Sequence, residues 1–162
     1  MRFILIVVIF FASVTAHAAT KPRVDRVLID KSGRALSLMV GNRVIAKFPI
    51  VLGGNPIGHK RKEGDERTPE GSYVLDYKKT DSAFFRSIHI SYPNASDRQS
   101  AKDRGVEPGG AIMIHGQKNG LGWLSFLSQH YDWTNGCIAL SNEDMQRVWD
   151  LVQVPVPIEI TP

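Results

Sequence analysis

The 162-residue chain contains a single cysteine, Cys137. No internal disulfide can form, so the fold must stand on its core alone. With no second cysteine and no His-Glu-x-x-His, a zinc site would need scattered ligands, and we expect neither metal nor cofactor. No glycine-rich loop opens a helix in the way that cradles a phosphate. The net charge is +4, and the basic residues are dispersed. This excludes the concentrated stripe of a nucleic-acid binder. Repeats, coiled-coil heptads and low-complexity segments are also missing. The N-terminal apolar run, residues 3–12, falls well short of the ~20 residues that span a bilayer.

That run follows Arg2 and precedes Ala16-His17-Ala18. Basic start, short apolar stretch and Ala-x-Ala form the layout of a secretory signal peptide over residues 1–18. The residue directly after the cleavage point is Ala19, not cysteine, so we expect no lipid anchor there. We therefore expect export to the periplasm or cell envelope, with no stable membrane anchor after cleavage. What remains, roughly 144 residues, is one domain's worth of chain, placed at 24–162. A lone thiol in an exported protein is an intermolecular bridge, a buried inert group or a reactive one, and its neighbours decide.

From residue 24 the pattern is β. Residues 24–29, 35–40 and 44–52 read as three strands, with Gly41-Asn42 as a hairpin turn between the last two. A polar Gly/Pro-containing stretch between Gly54 and Gly71 reads as a long functional loop. Strands are predicted at 72–77 and 84–90, then a second polar loop at 95–110. Within it, Asn94-Ala95-Ser96 fits a glycosylation sequon, which we read as chance. A short strand at 111–114 delivers His115-Gly116. Residues 120–131 suggest a short helix. Ser141 starts another, with Met145, Val148, Trp149 and Val152 on one apolar face. A strand at 158–160 closes the chain. The balance is mainly β, a β-sandwich or partly open barrel with one or two short helices.

Cys137 follows Gly136 and precedes an apolar strand, so it sits where a sheet end can present a nucleophile. A thiol needs a base. Among His59, His89, His115 and His130, only His115 ends an apolar strand and adjoins a glycine, so it is the candidate partner. For the other three we expect surface, packing or helix-end roles. Gly136 lets the N–H groups of Gly136 and Cys137 turn toward one point, an oxyanion site. Asp132 or a backbone carbonyl would orient the imidazole.

Three segments together carry a resemblance. They are Thr68-Pro69-Glu70-Gly71, the strand ending in His115-Gly116, and Thr134-Asn135-Gly136-Cys137. The mature chain resembles the L,D-transpeptidase catalytic domain of the YkuD type over nearly its whole length. The resemblance implies that Cys137 attacks the carbonyl of the third-position diamino acid in a peptidoglycan stem peptide, forming a thioester, with His115 as base. An amine then accepts the acyl group. The common pattern is Ser-His-Gly-Cys, an apolar residue, then arginine. Here Asn135 and Ala139 replace the histidine and the arginine. Arg67, Arg86 and Lys118 are candidates to supply the missing charge. Substrate contacts are expected from Arg67, Arg86, Tyr92, Gly116, Thr134 and Asn135. The Trp-Thr-Asn-Gly-Cys string looks like a subgroup in which some members act as hydrolases that release wall-linked lipoprotein. The expected partners are thus peptidoglycan stem peptides and such a lipoprotein. Two other readings stand beside this one. A sortase-like enzyme would need an arginine on a following strand, and only Arg147 follows, on a predicted helix. A non-catalytic wall-binding module would keep the fold without the chemistry.

Overall fold

A computed structural model describes residues 23–162. The expected signal segment lies outside the described residues. The strands are β1 Arg26–Asp30, β2 Ala35–Val40, β3 Arg43–Pro49, β4 Gly71–Lys79, β5 Ser87–Ile90, β6 Met113–His115, β7 Ile138–Ala139 and β8 Val156–Thr161. The helices are α1 Ala95–Asp103, α2 Ser125–Ser128, entered through a 3-10 turn at Gly122–Leu124, and α3 Asn142–Leu151. Among the described residues no helix is long and apolar enough to cross a membrane.

All eight strands form one sheet in the order β3-β2-β1-β8-β4-β5-β6-β7. The first three make the antiparallel meander expected from their turn residues. The C-terminal β8 then inserts between β1, which it parallels, and β4, which it opposes. Alternation explains its fit, because Val156, Ile158 and Ile160 are buried while Pro157, Glu159 and Thr161 are exposed. The sheet curls until its two ends meet. Just beyond β3, Val51 exchanges two 2.9 Å backbone hydrogen bonds with Ala139 of β7. Thr134 N–H donates to the Leu52 carbonyl and Gly54 N–H to the Thr134 carbonyl. This closure is the partly open barrel of the two expected architectures, and it satisfies backbone groups that an open edge would expose.

The core inside the curl includes Leu36, Leu38, Phe48, Leu75, Ile88, Ile114 and Ile138. Helix α3 adds Met145 and Val148 from the expected apolar face and Val152 from its C-cap, with Trp149 packed at its margin. Ser141 caps it by accepting from Asp144 N–H.

Three elements depart from expectation. Residues 95–103 form α1 instead of loop. Only Asp97 and Ala101 face inward, so no apolar stripe announces this helix. Its signal is the capping box, in which Asn94 and Asp97 each accept from the other's backbone N–H. Strand β5 starts at Ser87, not 84, because Arg86 has φ +46°, a left-handed conformation that breaks a strand. The described helices number three, one more than the upper expectation.

The 54–70 loop is tied down although it has no regular structure. Lys31, almost fully buried, donates to Glu70 Oε1 at 2.7 Å and to the Gly58 carbonyl at 2.8 Å. Lys60 pairs with Asp65 at 2.8 Å. His59 accepts from Glu70 N–H and contacts Asp97 at 3.1 Å. Burial alone would raise the Asp65 carboxyl. Lys60 and the N–H groups of Arg61, Lys62 and Arg67 outweigh it and hold the group down at about 2.

One carboxylate spans the closure. Asp132 receives Arg34 at 2.6 Å and Leu52 N–H at 2.8 Å, joining the cysteine segment to the first strands. Asp132→Ala leaves both donors short of a partner and should cost about 2–3 kcal/mol. Urea unfolding should show a lower midpoint at unchanged m-value. A loss under about 0.5 kcal/mol would mean that the closure does not depend on this group.

Candidate active site

Cys137 and His115 meet through the pairing of two short parallel strands. In the register Ile114 lies beside Ile138 and His115 beside Ala139. Ile114 and Ile138 point into the core. By the period of two, His115 and Cys137 then project from the opposite face, one strand apart and two positions offset. Met113 N–H donates to Cys137 Sγ at 3.4 Å, and Sγ lies 3.7 Å from the Ala111 carbonyl. Ala111 is itself held at φ +53°, strain of a kind that collects at functional sites. Among the described residues the thiol's hydrogen-bond partners are the Met113 N–H and the Ala111 carbonyl, and the imidazole is not one of them.

His115 is 2% exposed. Phe84 lies over its ring at 4.1 Å, and Trp133 meets it edge-on at 6.0 Å. Its Nδ1 is 2.6 Å from the Gly116 carbonyl. A carbonyl only accepts, so Nδ1 carries the proton and Nε2 is left as the unprotonated ring nitrogen. The orienting role thus falls to a backbone carbonyl, and Asp132 is committed to Arg34 and Leu52. Burial among aromatics lowers the His115 pKa from 6.5 to about 4, partly offset by the Gly116 hydrogen bond. Burial likewise pushes the Cys137 thiol up, against the Met113 N–H and the Lys60 charge, which pull it down. The resting pair is therefore neutral thiol and neutral imidazole.

The turn before the thiol is shaped by Thr134. Its hydroxyl donates to the Cys137 carbonyl at 2.7 Å and accepts from Gly136 N–H at 3.1 Å. Gly136 has φ +113°, and a Cβ there would collide with the Arg67 carbonyl. Only glycine passes between the loop and the strand.

The other expected site residues sit in different settings. The Gly136 N–H is occupied by Thr134, so of the two expected oxyanion donors only the Cys137 N–H is left unclaimed by that turn. Thr134 is buried with its hydroxyl engaged on both sides, which shapes the turn that carries the cysteine. Gly116 is pressed by the Phe85 carbonyl and Asn142 and serves through its own carbonyl. Tyr92 is buried, donates to the Pro108 carbonyl at 3.0 Å and packs on Tyr73, a structural position. The Arg86 guanidinium sits 4.8 Å over the Trp149 ring, drawn onto α3. Arg67 abuts Gly136 with its backbone, while its side chain lines a separate polar cleft with Arg61 and Arg104. Lys118 is exposed beside an apolar cleft lined by Leu121, Leu124, Leu127, Tyr131 and Trp133. Of the expected substrate contacts Asn135 alone stands exposed at a cleft beside the thiol. His89 stacks on Tyr77 and pairs with Asp76, and His130 is exposed at the end of α2, as anticipated.

Two residues escaped sequence reasoning. Phe84 desolvates His115, yet its position inside an expected strand gave no sign of this. Lys60 is the cation whose field reaches Cys137. It hides in a run of charges, and only its burial, 3% exposed, distinguishes it. Ala139, where the common pattern has arginine, is fully buried beside His115.

The family model described as YkuD, L,D-transpeptidase catalytic domain, matches residues 24–160. The chain is similar to the putative L,D-transpeptidase YafK of Escherichia coli (strain K12), 32% identical over 110 residues, which are 64% of this chain and 43% of YafK. Its fold is similar to the helical cell shape determining protein Pgp2 of Campylobacter jejuni, at 28% identity and TM-score 0.66 over 85% of this chain and 47% of that one. Bd1075 of Bdellovibrio bacteriovorus, at 23% identity and TM-score 0.58 over 88% and 50%, shares the fold. The chain thus spans about half the length of these relatives or less.

The buried imidazole makes stability pH-dependent. Between about 4 and 6.5 the unfolded chain holds a proton on this histidine that the folded chain does not. Stability is therefore full above 6.5, falls as pH drops toward about 4, and levels below that. The span corresponds to about 3 kcal/mol. In urea titrations His115→Asn should lose less stability than wild type over this window, by about that amount. Parallel losses in the two proteins would contradict the buried, neutral imidazole.

Proposed function

Because the chain belongs to the L,D-transpeptidase catalytic-domain family, we propose that it performs cysteine-dependent acyl transfer on peptidoglycan stem peptides, with Cys137 as nucleophile and His115 as base. The observation that carries this is the parallel β6–β7 register. It sets thiol and imidazole on one face, while the Gly116 carbonyl leaves Nε2 as the free ring nitrogen.

In this reading Sγ attacks the carbonyl carbon of the third-position diamino acid. The thiol proton passes to His115 Nε2. The Cys137 N–H steadies the oxyanion. On collapse, the bond from carbonyl carbon to the leaving amine breaks, and the imidazolium returns the proton to that amine. A thioester on Cys137 remains. Because burial disfavours both thiolate and imidazolium before substrate arrives, proton transfer belongs with the attack and not ahead of it. An incoming amine, deprotonated by His115, then takes the acyl group. The setting is the cell envelope after export, and the outcome is wall remodelling. The resemblance to a cell-shape-determining protein accords with that. When the leaving amine belongs to a wall-linked lipoprotein, thioester formation frees it, and water attacking in place of an amine then breaks the C–S bond, returning the thiol and giving the free acid, a net hydrolysis.

Purified protein incubated with stem tetrapeptides and excess acceptor amine should yield amine-transfer products, and Cys137→Ala should yield none. Free acid products alone, despite excess amine, would assign the hydrolytic branch. Unimpaired turnover by Cys137→Ala would sink the proposal.

A further inference from the structure

Several cations that are dispersed in the sequence gather in space. Arg61, Lys62 and Arg67 of the anchored loop and Arg104, the C-cap of α1, line one cleft of about 390 Å³. That size is ordinary for a small-ligand site. Val106 joins it to a second cleft, which adds Arg98 and Lys102. Among the described residues none of these six cations pairs with a carboxylate.

The neighbouring carboxylates are committed elsewhere or turned away. Asp65 lines the first cleft, but its Oδ1 accepts from Lys60 Nζ at 2.8 Å and from Arg67 N–H at 3.2 Å. Its Oδ2 accepts from the N–H groups of Arg61 and Lys62 at 2.7 and 3.1 Å. One carboxylate thus gathers the backbones of three of the four cleft cations, while Lys60 matches its charge. Glu63 and Glu66 line the other cleft, beside the thiol. Asp103 receives Gln99 Nε2 at 2.7 Å, and Glu107 lines the second cleft.

The two arginine forks that face each other are prepared differently. Arg104 donates through Nη2 to the Arg61 carbonyl at 2.9 Å and through Nη1 to Ser100. These bonds fix its plane and leave further N–H groups over. Arg67 Nε is buried and meets no acceptor, the kind of defect that an unseen anion explains. Four cations around one cleft also repel each other, at a cost in stability that an anion returns. A carboxylate offers one negative charge and two oxygens. A phosphate offers more charge and a tetrahedron of oxygens, which suits two forks and an ammonium arriving from different directions.

We propose that the cleft of Arg61, Lys62, Arg67 and Arg104 is a phosphate-binding site, for free phosphate or for the phosphate of a lipid headgroup at the envelope. The Arg67 carbonyl abuts Gly136, so a residue that grips the anion also borders the cysteine turn. Binding of phosphate here is independent of acyl transfer at Cys137.

Calorimetric titration of the purified protein with inorganic phosphate, at ionic strength held constant with sodium chloride, tests this. One phosphate should bind per chain with a Kd of about 1 mM or tighter, and acetate should bind about tenfold more weakly. Arg61→Gln and Arg67→Gln should each weaken phosphate about tenfold, and Arg67→Lys should recover only part of the loss, because it keeps the charge but not the fork. Arg43→Gln, which removes an exposed cation from β3, should change nothing. Arg61 is exposed, so its variant keeps the test sound even if Arg67→Gln misfolds. Sedimentation with phosphatidylcholine vesicles, with and without phosphatidylglycerol, identifies the source. Retention on the phosphatidylglycerol vesicles that is lost in Arg61→Gln assigns a lipid headgroup, and phosphate binding without such retention assigns free phosphate. No saturable phosphate binding together with no retention would overturn the site. So would acetate binding as tight as phosphate, affinity unchanged in Arg61→Gln, or an equal loss in Arg43→Gln.

Discussion

The two-residue parallel pairing of β6 with β7 is the constraint on which the site depends. A shift of one residue would turn Cys137 into the core and Ile138 out of it. So short a ladder cannot hold its own register. It is held from the other side by Val51, which bonds Ala139 in both directions, and by Asp132, which reaches Arg34 and Leu52. The first strands of the chain and the cysteine segment are about eighty residues or more apart in sequence, yet they fix each other. Closing the sheet is therefore what aligns thiol and imidazole.

The same closure sets the electrostatics. Bringing Phe84 and Trp133 against His115 removes water from the imidazole and keeps it neutral. The thiol, itself pushed up by burial, stays neutral beside it. The 54–70 loop then supplies the nearby positive charge. It is a polar segment made rigid by Lys31, Asp65 and His59, and it delivers Lys60 to the cleft beside the thiol. Gly136 is the crossing point, where loop and cysteine turn touch backbone to backbone.

Much of this was legible in the sequence. The meander, the capped α3 and the strand ends at His115 and Cys137 follow from turn residues, alternation and helical spacing, all local signals. The family resemblance added the pairing of the two. What stayed hidden depends on long-range contact. Helix α1 has a cap but no apolar face, because its inward carboxylate, Asp97, is matched to Tyr73 and His59. The stacking of Arg86 on Trp149 and the hydrogen bond from Tyr92 to the Pro108 carbonyl are likewise long-range. Thr134 reads as a polar residue beside a nucleophile, and only its two hydrogen bonds reveal that it builds the turn. Lys60 was one charge among several in its loop. Burial, which no local pattern encodes, set it apart.

The central claim is that Cys137 becomes acylated with the help of His115. Rapid mixing of the protein with a stem tetrapeptide, quenching in acid and measuring intact mass tests it directly. The account predicts a transient mass gain of the acyl fragment, mapped to Cys137, formed at least about a hundredfold more slowly in His115→Asn and never in Cys137→Ala. Product formed at the full wild-type rate with no adduct on Cys137, or an adduct whose rate ignores His115, would contradict it.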